Sequence, residues 1–238
     1  LRRKDRYNEG SRALYGLARF PSPCHPFALV GPALDGGTGM PVCEGCGTRT
    51  DEAHIQSRTA RIDLAGRYRP TQIRVLFLDS APPMRMEDFF YRASADRSVR
   101  SLASRMYFDE LAKAAGAPAH FSAQEEAALT DFRRKGFYLS FGVECPFESE
   151  GELHAALRRL APTALKRVQY SLQPNYIVPI GSATKELIRL FGLIGWGDRL
   201  ILDKTGPFVD PYLGDPKKQA TFGTAFGERI SKLLAGLP

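Results

Sequence analysis

The sequence predicts an α/β fold, with a parallel-rich sheet flanked by helices and a metal-stapled extension ahead of it. Three observations predict it. From residue 71 onward, short apolar runs alternate with longer stretches of helical spacing. Most of these runs end in polar, turn-forming residues, as the carboxyl ends of parallel strands do when they hold ligands. Before residue 70, a Cys-x-x-Cys pair stands in a region rich in Gly, Pro, Cys and His.

Taken in order, residues 1–22 are basic and open on a helix-compatible stretch, Arg2 to Leu17. Residues 23–70 show little periodicity, and GPALDGGTGMP reads as an irregular loop. A staple is expected there, so residues 1–70 are assigned to an extension and residues 71–238 to the α/β domain. Ile73 to Leu78 is a buried strand that stops at the turn Asp79-Ser80-Ala81-Pro82-Pro83. Helical patterning follows across 97–116 and 123–134. Phe137 to Val143 is the second strand, and helical spacing returns across 150–170. Tyr176 to Ile180 is the third strand. It ends in Gly181-Ser182, and a helix from Ala183 to Phe191 follows. Arg199 to Leu202 is expected as a fourth strand, and Gln219 to Leu237 as an amphipathic helix. No internal repeat is found.

A chain of 238 residues, 43% of them hydrophobic, can bury a full core. No stretch approaches the ~18 apolar residues of a membrane span. The opening LRRKDRYNEG lacks an apolar segment behind its charges, so no secretory leader is expected, and the setting is read as cytoplasmic. The formal charge of +7 favours polyanions, nucleic acid first among them, although a basic surface also serves solubility. A monomer is expected.

The four cysteines are Cys24, Cys43, Cys46 and Cys145. In a reducing compartment a disulfide framework is not expected, and the close spacing of two of them points to metal or redox work. Cys43 and Cys46 form a knuckle able to grip one ion, and Cys24 and His54 complete a tetrahedral zinc set. His25 competes with His54 as the imidazole, and unmetallated thiols are the plain alternative.

Four segments, in order, resemble the uracil-DNA glycosylase superfamily, especially its iron–sulfur branch: RVLFLDSAPP (74–83), FYLSFGVECP (137–146), LQPNYIVPIGSATKELI (172–188) and FVDPYLGDPKKQATFGTAFGERI (208–230). The first is similar to the strand and water-activating loop that the family writes as G-E-A-P-G or G-Q-D-P-Y. The last is similar to its closing H-P-S loop and helix. The resemblance implies a compact three-layer α/β/α domain that flips a nucleotide from DNA and hydrolyses its N-glycosidic bond. It also implies an alternative to zinc, a 4Fe-4S cluster. Cys43 and Cys46 match the family's first cluster pair and Cys145 its third ligand, but no cysteine stands near Leu160 or Ala161, where the fourth would fall.

The departures from the family's pattern carry information. Ser80 stands where the iron–sulfur branch has glutamate, and Ala81 where the best-known branch has aspartate. Asp79 is then the candidate carboxylate, with Ser80 beside it; the plain alternative is a turn-capping aspartate. Glu87 and Asp88 are a fallback pair. Phe141 replaces the base-reading asparagine and either shapes a roomier pocket or is a core ring. Asp210 replaces the family's histidine and could contact sugar or base, or simply cap a turn before Pro211. Together these changes point away from plain uracil. They favour a modified base such as glucosylated hydroxymethylcytosine of phage DNA, with a role in antiviral defence.

Candidate DNA or base contacts are Arg85 with Phe90, the helix start at Ser182 with Lys185, and Tyr212 and Lys217 in and after the last loop. Ser182 could equally be an ordinary N-cap. Arg158, Arg159, Lys166 and Arg167 read as a solvated helix face. Two other readings stay open. One is a non-catalytic sensor of modified or damaged DNA on the same fold; the other is an α/β enzyme acting on free nucleotides or sugars.

Overall fold

The computed structural model describes residues 40–116, 124–203, 206–208 and 216–237. Three strands, β1 (Val75–Asp79), β2 (Phe137–Phe141) and β3 (Tyr176–Pro179), form a parallel sheet in the order β2-β1-β3. In register, Val75 faces Phe137 and Tyr176, and Asp79 faces Phe141. Every residue of β1 is buried, which explains why its sequence is apolar without alternation: both faces are covered. Phe77 stacks against Phe132 and Phe137.

Among the described residues, six α-helices accompany the sheet: α1 (Glu52–Arg67), α2 (Leu102–Ala114), α3 (Glu125–Arg134), α4 (Glu150–Lys166), α5 (Lys185–Leu193) and α6 (Pro216–Ala235). α2 packs on α3 and α6, while α4 packs on α5. This grouping is compatible with an α/β/α layout. No described helix is long and apolar enough to cross a membrane.

Among the described residues, the free edge of β2 is covered by side chains, not by another strand. The Leu139 N–H donates to the Tyr91 hydroxyl at 2.6 Å, and that hydroxyl donates back to the Leu139 carbonyl at 2.9 Å. Arg167 donates to the Phe141 carbonyl. Such caps satisfy the backbone groups that an open edge would otherwise present to another chain. The loop before α2 is pinned by a fully buried pair, Arg100 Nε to Glu125 at 2.9 Å.

Three expectations change. The expected fourth strand is a 3-10 turn, Gly197–Arg199, followed by single parallel bridges from Leu200 to Ile177 in β3 and from Phe208 to Ile180 just past it. Arg199 is drawn aside: its guanidinium lies 4.3 Å from the Trp196 ring centroid and donates to the Pro174 carbonyl. The expected irregular stretch before residue 70 contains α1. Asp51 caps it by accepting from the His54 N–H at 2.9 Å. The helix carries polar residues around most of its circumference, so no apolar stripe announced it. Residues 40–238 form one compact unit, so the knuckle and α1 belong with the sheet rather than ahead of it at a boundary near residue 70. The helix expected over Arg2 to Leu17 lies outside the described residues.

Candidate active site and metal centre

The carboxyl ends of the three strands converge. The chain leaving β2 returns to the end of β1: Gly142 N–H donates to the Asp79 carbonyl at 2.7 Å and Val143 N–H to the Ser80 carbonyl at 3.0 Å. The chain leaving β3 turns at Gly181 with φ +78, a left-handed geometry that glycine accepts freely. A Cβ at Gly181 would lie 3.3 Å from Ser80 Oγ and 3.6 Å from Asp79 Oδ1, so bare backbone lets this turn approach the acid.

Asp79 is 8% exposed. Its Oδ1 accepts from the Ser80 N–H at 2.6 Å, and its Oδ2 accepts from the Tyr107 hydroxyl, carried by α2, at 2.6 Å. Burial pushes its carboxyl up to about 6, against the pull of those two hydrogen bonds, which favour the charged form. A carboxyl that exchanges its proton near neutrality is equipped for general acid–base work. Tyr107 was not foreseen; position 28 residues downstream of Asp79 in a helix gave no signal in the sequence.

The other candidate residues separate into groups. Phe141 is half-buried, with its ring 6.0 Å from that of Phe89. Phe90 is 4% exposed and packs among Tyr91, Phe108 and Phe132. It is a core ring rather than a free stacking surface, because the apolar faces of α2 and α3 enclose it. Arg85 is exposed and lies 3.9 Å from both Glu87 and Asp88. Asp88, of the fallback pair, accepts from the Ser101 N–H at 2.7 Å ahead of α2. Ser182 is exposed and makes no capping bond; Thr184 Oγ1 donates back to the Gly181 carbonyl instead. Lys185 is exposed at the first residue of α5, and Lys217 lies in α6. Asp210, Tyr212, Cys24 and His25 lie outside the described residues.

A second cluster stands on the far side of the 142–145 segment. Cys43, Cys46, His54 and Cys145 place their donor atoms within 4.8 Å of one another. Cys43 Sγ is 3.6 Å from Cys145 Sγ, and His54 Nε2 is 3.5 Å from Cys46 Sγ and 3.1 Å from Cys145 Sγ. A tetrahedral ion with metal–sulfur bonds of about 2.3 Å needs sulfurs about 3.8 Å apart, so the cluster could hold one metal ion. The knuckle is a small hairpin, with Cys43 N–H on the Thr48 carbonyl at 2.8 Å and Val42 bridged to Arg49. A side chain at Gly45 would meet Arg58 Nε at 2.5 Å and Cys145 Sγ at 3.1 Å, so the loop closes on the cluster only without one. Burial works to raise the Cys46 thiol, yet hydrogen bonds with Thr48 bring it below its ordinary value, while burial pushes Cys145 well up.

With Cys145 the tetrahedral set is complete without Cys24. Around it runs an ionic frame. Arg58 donates to Glu144 at 2.8 Å, and Arg167 donates to the other Glu144 oxygen at 2.6 Å. Arg159 donates to the Cys46 carbonyl at 2.6 Å. Arg167 is therefore a structural tie; Arg158, Arg159 and Lys166 are exposed as expected of a solvated face, with Arg159 also reaching the knuckle. α4 widens into a π turn, Arg167–Leu172, whose first residue turns inward.

Compared with protein-family models, with curated proteins and with solved structures, the chain finds no match.

Proposed function

We propose that this chain is a DNA glycosylase, similar in type to the uracil-DNA glycosylases, that excises a modified base. The observation that carries the reading is Asp79: a buried carboxyl, raised to about 6, at the meeting point of three strand-end loops. Once ionised, it would orient a water or steady the cationic sugar that develops as the base departs. A flipped nucleotide reaches such a cleft mouth, whereas a stacked one does not. The formal charge of +7 suits a DNA ligand. Phe141 at the end of β2, and Asp210 where the resembled family has histidine in sequence, would favour a base other than plain uracil.

The test is mass spectrometry of bases released from modified, damaged and uracil-containing DNA. Release is expected from a modified substrate, with a pH profile rising through about 6, and it is lost in Asp79→Asn. Release from uracil DNA alone overturns the modified-base reading, and full activity of Asp79→Asn overturns the assignment of the acid. One observation favours a second reading, a non-catalytic sensor of modified DNA: both Asp79 oxygens already hold hydrogen bonds within the protein. Binding to modified DNA without base release from any substrate selects that reading.

For the metal, we infer zinc. Three thiols and an imidazole packed within 4.8 Å suit one tetrahedral ion. In a four-iron cluster each ligand binds a different corner, which spreads the donors further apart. Elemental analysis is expected to find about one zinc per chain; iron with inorganic sulfide would reverse the assignment.

A further inference from the structure

We propose that the basin at the amino ends of the three strands is a binding site for a small sugar or polyol carrying two phosphate groups. The basin has a volume of about 750 Å³. It lies where the chain enters β1, β2 and β3, beside the end of α3. The length of β1 separates it from the acid: at ~3.3 Å per residue, Arg74 stands about 16 Å from Asp79. A ligand in the basin therefore does not depend on the role assigned to Asp79.

Charge sets the sign of the ligand. Arg74, Arg133, Arg134 and Lys135 line the basin, and among the described residues no acid lines it. Lys135 is already used: its Nζ donates to the Ala115 and Gly116 carbonyls and pairs with Asp131 at 2.8 Å. The guanidinium groups keep donors for solvent. Arg74 is exposed, its backbone N–H is fixed on the Gly136 carbonyl at 2.7 Å, and its side chain has no partner among the described residues. Arg133 is exposed and gives one Nη to the Arg67 carbonyl. Arg134 is 77% exposed along its side chain and gives one Nη to Asp131. Cations in the last turn of α3 also suit that helix end, but Arg74 belongs to no helix. Guanidinium forks match phosphate oxygens two at a time, and three of them around one basin suit two phosphates. The rest of the lining, chiefly Gln72, Thr130 and Asn175, offers hydroxyl and amide groups and no aromatic or large aliphatic side chain. Such a wall hydrogen-bonds a polyol and gives a nucleobase or an acyl chain nothing to pack on.

The probe is fructose 1,6-bisphosphate, titrated by calorimetry into the full chain in about 0.15 M salt. Saturable binding with Kd below about 1 mM is expected, whereas fructose and sulfate at matched ionic strength do not saturate. Arg74→Gln should weaken the probe about tenfold, and so should Arg134→Gln. Arg189→Gln, on the exposed surface of α5, removes the same charge elsewhere and should leave binding unchanged. Circular dichroism checks that each variant is folded. A short oligothymidylate carries phosphates on a polymer and is not expected to displace the probe. The proposal is overturned if the probe does not saturate, if fructose or sulfate matches it, or if folded Arg74→Gln binds as tightly as wild type. It is equally overturned if Arg189→Gln weakens binding as much as Arg74→Gln, or if the oligonucleotide displaces the probe at equal phosphate concentration.

Discussion

At Asp79 two opposing effects meet. Burial withholds water from the carboxylate, while Tyr107 and the Ser80 N–H offer hydrogen bonds to its charged form. Burial wins, and the folded-state value near 6 stands about two units above that of an exposed aspartate. The folded chain then binds more protons than the unfolded chain between about pH 4 and 6. The associated stability is present below about pH 4 and is lost as pH rises through 6, a change of about 3 kcal/mol. Denaturant titrations should show the stability difference between wild type and Asp79→Asn moving in the variant's favour by about that amount over this window. Tyr107→Phe should act in the opposite sense to a stabilised anion. Removing the donor lifts the carboxyl further, so the acid limb of base release should move up by about one unit. Asp79 was legible in the sequence because a strand end followed by Ser-Ala-Pro-Pro marks a turn. Tyr107 was not, because a helix brings it from far along the chain. Phe90 misled because adjacent rings in a basic segment look alike whether they face a cleft or a core.

Among elements, α1 shows what sequence periodicity cannot reveal. The strands were readable because they are short, apolar and bounded by turns, and β1 carries no polar residue before Asp79. α1 offered no such stripe. It is held by the Asp51 cap, by buried Arg61 and by His54 in its first turn. The knuckle was legible from its spacing. The partner from beyond β2 was legible through the resemblance alone, which named Cys145 for a cluster while the spacing argument chose Cys24. Stripping the ion with a chelator, or making Cys145→Ser, should free the knuckle and the start of α1 first. Hydrogen exchange over residues 43–58 is expected to accelerate about tenfold or more while β1 stays protected. Uniform loss of protection would instead mean that the ion holds the whole fold.

For the whole molecule, charge and connectivity set the behaviour. A chain with a formal charge of +7 that neutralises several phosphates should lose DNA affinity steeply with salt. A slope of about −3 or steeper in log K against log salt is expected from binding measured across a salt series. A flat response would count against a DNA partner. Connectivity adds a coupling between centres that share no ligand. Within residues 142–145, two backbone N–H groups hold Asp79 and Ser80 at the carboxyl end of β1, the next holds Gly45 at 3.2 Å, and Cys145 joins the cluster that could hold a metal ion. Four consecutive residues thus string Asp79 and the cysteine–histidine cluster on one line. If the cluster takes an ion and Asp79 does the chemistry proposed above, metal starvation would slacken that line at its anchored end and silence a reaction in which the ion itself takes no part.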